Sequence, residues 1–141
     1  METPLSILLF FSAILIFGGL LFAIISLRRN SPRTLNQDKY RSQWMSIETK
    51  FRKDEAITFP MSIIEADKLL DQALRERGLA GKTMGERMKQ RQGKWSNGNG
   101  VWAAHKLRNR IAHEADFQVD YVRTKQALLA YKQALKDLGA I

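Results

Sequence analysis

The stretch Trp102–Glu114, "WAAHKLRNRIAHE", decides how this chain is read. At about 100° per residue, Ala104, Leu107 and Ile111 fall in one narrow arc that demands a core. Trp102, His105, Asn109 and His113 gather on a second face beside Ala112, and Arg108 lies between the two. The segment therefore reads as an amphipathic helix from about Val101 to His113, with one side for packing and a polar side open to a ligand or another subunit.

Working outward, the neighbouring segments supply the matching apolar faces. Upstream, "RQGKWSNGNG" (Arg91–Gly100) is too rich in Gly and Asn for regular structure and reads as a loop. Before it, Thr83 and Glu86 form a capping box for a short helix ending near Gln90. The segment Pro60–Arg77 places Ile63, Ala66, Leu70, Ala73 and Leu74 on one stripe, and Asp67, Asp71 and Arg75 read as an i, i+4 ladder facing solvent. Tyr40, Trp44, Ile47 and Phe51 make a single stripe on a helix spanning about Asn36–Lys53. Downstream, Tyr121, Leu128 and Leu135, joined by Tyr131 and Leu138, give a seam along a last helix over about Asp120–Leu138. No segment alternates with period two, so the expected fold class is all-α: a bundle of four main helices and one short one.

The N-terminus is different in kind. Leu5–Leu27, "LSILLFFSAILIFGGLLFAIISL", holds no charged residue, and at 1.5 Å per residue it covers roughly 34 Å, enough to cross a bilayer core. It lacks the basic leader and short apolar core of a cleaved signal peptide, and it stops at Arg28 and Arg29. The expected organisation is a single-pass transmembrane anchor over 1–29, a linker over 30–35 in which Pro32 ends the helix, and a helical domain over 36–141. All 23 Lys and Arg lie after Leu27, so the positive-inside rule puts the N-terminus outside and the domain in the cytoplasm, at the cell membrane. With 13 of the 14 acidic residues, that part carries a formal charge of +10, which suits an anionic partner: RNA, DNA or the inner leaflet. The absence of Cys excludes disulfides and thiolate chemistry.

The polar face of Trp102–Glu114 has the residue types for cleaving RNA without a metal. A base takes the proton of a ribose 2′-OH, that oxygen attacks phosphorus, an acid protonates the leaving 5′ oxygen, and a cation stabilises the added charge. His serves proton transfer near neutral pH, Arg matches phosphate oxygens with a planar fork, and Asn109 can hold the substrate or orient the His. On a straight helix, however, Arg108 and His113 stand about 140° apart and about 7.5 Å along the axis. They converge if the helix ends at Ala112, if Arg108 reaches around its backbone, or if two chains pair antiparallel. A structural role is the alternative: His113 capping the helix C-terminus and Arg108 paired with Glu65, Asp67 or Glu114. His105 and His113 are two turns apart, roughly 12 Å, too far to share one metal ion, so no metal or other cofactor is expected. "GLAGKTMGE" is a helix end, linker and cap rather than a phosphate loop, because its first Gly stands too close to Lys82 and no strand precedes it.

The run "WAAHKLRNRIAHE", with "EADKLLDQAL" and "GKTMGERMK" before it and an amphipathic helix after it, resembles the HEPN superfamily over roughly Phe59–Leu138. The resemblance implies an α-helical bundle, usually dimeric, with Arg, a polar residue and a downstream His near a helix end. Many members are metal-independent endoribonucleases whose paired motifs form one site at the dimer interface; others are inactive scaffolds or nucleotide-binding modules. By match to that motif, Arg108, Asn109 and His113 are the expected catalytic set, in a homodimer formed through the motif helix. His105 and Arg110 beside the motif, and Arg91, Lys94 and Trp95 in the preceding loop, are candidate RNA contacts. The alternative function is a noncatalytic interaction module tethered to the membrane.

Overall fold

The computed structural model describes residues 4–29 and 33–141 and comprises six α-helices, with no strand among the described residues. The chain divides into two compact units, Met1–Pro32 and Arg33–Ile141. The first unit holds α1 (Pro4–Arg29), which is apolar all round and long and apolar enough to cross a membrane. Glu2, the Asn30–Pro32 part of the expected linker and the side chains of Arg28 and Arg29 lie outside the described residues.

The second unit holds α2 (Gln37–Lys50), α3 (Thr58–Glu76), α4 (Met84–Lys89), α5 (Gly98–His113) and α6 (Tyr121–Asp137). This is the expected set of four main helices and one short one. Helix α3 is central: it packs against α2, α4, α5 and α6, while α6 also packs along α5. Ile63, Leu70 and Leu74 of α3 meet Tyr40 of α2, Met88 of α4, Val101 of α5 and Tyr131 and Leu135 of α6 in one core, all fully buried. Burial of such side chains is the main stabilising term, about 1.5–3 kcal/mol each.

Local signals set the boundaries. The side chains of Asn36, Thr83, Asn97 and Asp120 each accept a hydrogen bond from a first-turn amide, and Glu86 completes the capping box by accepting from the Thr83 amide. Helix α2 stops at Lys50, three residues short of the expected end, because Phe51 turns to an extended conformation and enters an aromatic cluster, stacked on Tyr121 at 5.2 Å and edge-on to Phe59. Helix α5 starts three residues early, within the supposed loop. Ser96 donates its amide and hydroxyl to the Asp137 carboxylate at 2.8 and 2.6 Å, and Asn97 then caps Gly98–Gly100 as a first turn. Burial pushes Asp137 up, but Ser96, Gln133 and Arg91 together outweigh it and hold the carboxyl below its ordinary value. The carboxylate that fixes the start of α5 is thus ionised at neutral pH.

Candidate functional site

The site is built on α3 and α5. Asp67 stands one turn after Ile63 and one before Leu70, inside the apolar stripe of α3, so its carboxylate is carried into the core and is 5% exposed. This corrects the solvent-facing ladder expected for Asp67, Asp71 and Arg75. A buried carboxylate must be satisfied by donors, and three other side chains surround it. His105 Nδ1 donates to Asp67 Oδ1 at 2.8 Å, the fully buried Tyr131 hydroxyl donates to the same oxygen at 2.8 Å, and Arg108 Nε lies 3.4 Å from Oδ2. Burial and the adjacent Asp67 charge push the Tyr131 phenol far above its ordinary value, so it remains a donor throughout the physiological range.

These bonds orient the polar face of α5. With the Nδ1 proton assigned toward Asp67, His105 Nε2 is left as an acceptor 3.5 Å from Asn109 Nδ2, and Arg108 Nη1 donates to Asn109 Oδ1 at 3.2 Å. Arg108 Nη2 has no hydrogen-bond partner among the described residues. Asp67, His105, Arg108 and Asn109 line one open cleft of about 500 Å³, whose far wall is Thr83 and Gly85.

That wall is tied to α3 by a second ion pair. Arg87, 5% exposed, reaches Asp71 Oδ1 through Nε and Nη2 at 2.9 and 2.6 Å and donates Nη1 to the Gly81 carbonyl. Asp71 also accepts from Arg75 at 2.6 Å, the one contact of the expected ladder that the fold keeps. Two guanidinium N–H groups converge on the one oxygen Oδ1 while Arg75 takes Oδ2, and this charge-assisted pairing holds the short α4 against the cleft.

The remaining sequence-derived candidates are placed elsewhere. Helix α5 continues through His113, so the helix does not break at Ala112 to bring His113 round to Arg108, and the Arg108 side chain is committed to Asp67 and Asn109. His113 is exposed at the helix end, does not line the cleft, and makes no hydrogen bond or ion pair with the described residues. Arg110 pairs with Glu114 at 3.1 Å and lies 4.0 Å over Phe117. Trp95 donates to the Met88 carbonyl and packs against the core, with Arg91 over its ring and bonded to the Asp137 carbonyl, so both anchor the loop on the domain. Lys94 is exposed.

Sequence reasoning offered Asp67 as one of three possible partners of Arg108, and the 3.4 Å pair is found, but it missed the burial of Asp67 and the part played by Tyr131. The signal for Asp67 was its place among the apolar positions of α3, where an acid without a nearby donor on the same helix needs one from another. Comparison with known protein families, curated proteins and solved structures found no match.

Proposed function

We propose that this chain anchors a HEPN-like helical domain at the inner face of the cell membrane and that the α5 cleft binds RNA and cleaves it without a metal. One observation carries the reading: Arg108, Asn109 and His105 converge on a single open cleft, fixed from behind by Asp67. In this reading Arg108, through its free Nη2, holds the scissile phosphate, and Asn109 positions the ribose. His113 transfers protons. Because His113 stands outside the cleft of its own chain, two copies pair antiparallel along the polar face of α5, and the partner's His113 completes each site. The partner's His113 takes the 2′-OH proton as O2′ bonds to phosphorus, and the imidazolium so formed gives that proton to O5′ as the bond to O5′ breaks, so that a 5′-hydroxyl departs and a 2′,3′-cyclic phosphate remains. The apolar α1 and the basic balance after Leu27 support a cytoplasmic domain held near anionic headgroups.

A second reading is favoured by the same ion pair seen differently. Arg108 neutralises a buried carboxylate, which is a structural task, and a scaffold that keeps the bundle needs nothing more. The full chain in detergent micelles, given mixed-sequence RNA in EDTA, separates the two. The nuclease reading expects cleavage by wild type and none by His113→Ala at an unchanged melting temperature, because that side chain has no structural partner among the described residues. Uncut RNA with a folded, dimeric wild type sinks it and leaves the scaffold.

A further inference from the structure

On the side of α5 away from the cleft, the helix and α6 enclose a second, larger groove of about 970 Å³. Its floor is apolar: Ala103 and Leu107 come from α5, and Ala127, Leu129 and Ala130 from α6. Leu129 is 59% exposed. Above this floor stand Lys106, Arg110 and Arg123, and no carboxylate lines the groove. Arg110 is shared with Glu114, but Lys106 and Arg123 have no ion-pair partner among the described residues.

These features select among occupants. A second copy bound by two-fold symmetry would set the same patch against itself, bringing the unpaired Lys106 and Arg123 onto a surface with the same unpaired cations and no carboxylate to receive them. Single-stranded RNA stacks its bases on aromatic platforms, and no aromatic side chain lines this groove. An amphipathic helix with leucine-like side chains on one face and carboxylates along its edges matches both the floor and the rim, in the helix-in-groove manner. We infer that the α5–α6 groove is a docking site for an acidic amphipathic helix of a partner protein. The site is independent of the ribonuclease reading, and it gives the domain a protein-binding face opposite the cleft.

The test uses the full chain in phosphatidylcholine nanodiscs and a labelled model helix as long as the 17 residues of α6, with leucine at every third or fourth position and glutamate between. A second helix carries lysine in place of glutamate, and binding is read by fluorescence anisotropy. The glutamate helix is expected to bind at least about tenfold tighter than the lysine helix. Leu129→Glu, and separately Lys106→Glu with Arg123→Glu, each weaken it by about tenfold or more, whereas Arg41→Glu on α2, outside the groove, does not. These side chains lie at the surface, and circular dichroism checks that each variant stays folded. Absence of binding by the glutamate helix, equal binding of the two helices, or indifference to Leu129→Glu overturns the assignment. So does an oligouridine that binds with the same dependence on Leu129, Lys106 and Arg123, which would give the groove to RNA.

Discussion

Replacing Asp67 by Asn tests whether the network behind the cleft is what holds it. Asparagine keeps the shape and one acceptor oxygen, which can still receive His105 Nδ1 and the Tyr131 hydroxyl, each now 2.8 Å away. The other oxygen becomes an NH₂ facing Arg108 Nε, 3.4 Å away, so a donor meets a donor and the guanidinium loses its counter-charge. Removing one member of a buried pair costs about 3–5 kcal/mol. Here the Arg108 side chain is 34% exposed and swings partly into water, which reduces the expected loss to about 2–3 kcal/mol. With an unfolding entropy of about 2.1 cal/mol/K per residue over Arg33–Ile141, that loss lowers the melting temperature by about 9–13 °C. A total stability of about 5–15 kcal/mol leaves the variant folded. The assay is urea unfolding of the full chain in mild detergent, followed by tryptophan fluorescence and circular dichroism. Tyr131→Phe, made alone and together with Asp67→Asn, adds a coupling energy of about 1 kcal/mol if the two side chains act as one unit. An Asp67→Asn protein within about 0.5 kcal/mol of wild type, uncoupled to Tyr131, would refute the claim that this carboxylate organises the site.

Two further outcomes follow from other parts of the fold. Hydrogen bonds from Gln72 and Lys39 hold Glu76 down from its ordinary 4.5 to about 2, so its contribution is complete above pH 4.5 and is lost as the pH falls towards 2. Glu76→Gln should therefore cost about 1 kcal/mol at pH 7, after allowance for a side chain 39% exposed, and match wild type near pH 2 in acid-dependent urea titrations. Gly81 has φ +149°, and a Cβ there would stand 2.8 Å from Glu86 Cβ and 2.9 Å from the Arg87 amide. Gly81→Ala should lower stability by about 1–3 kcal/mol, read as a shifted urea midpoint; an unchanged midpoint would show that the turn before α4 relaxes freely.

Helix existence and most of the core were legible from apolar spacing alone. Tyr40, Trp44 and Ile47, and Leu128, Tyr131, Leu135 and Leu138, are buried where their periodicity put them. The Thr83–Glu86 box formed because its two bonds lie within one turn of chain. Errors came where a distant residue decided a local question. The start of α5 depends on Asp137, which lies 41 residues after Ser96, and the end of α2 depends on Phe51 finding Tyr121. The site divides along the same line. His105 and Asn109 were visible on one polar face of α5 with Arg108 at its edge, but the separation of Arg108 from His113 could not be resolved until Arg108 was seen turned toward Asp67.

By itself, then, the sequence determined the apolar N-terminal helix, the all-α class, the helix count and the candidate motif, because each rests on residues within a few turns of one another. The tertiary structure alone decided that Asp67 is buried, that His105, Arg108 and Tyr131 surround it from residues 38 to 64 positions away, and that the two sides of α5 face different grooves. The reason is physical: a helical pattern states which side of a segment avoids water, but only the packing of α3 against α5 and α6 supplies the donors that make a carboxylate on that side tolerable.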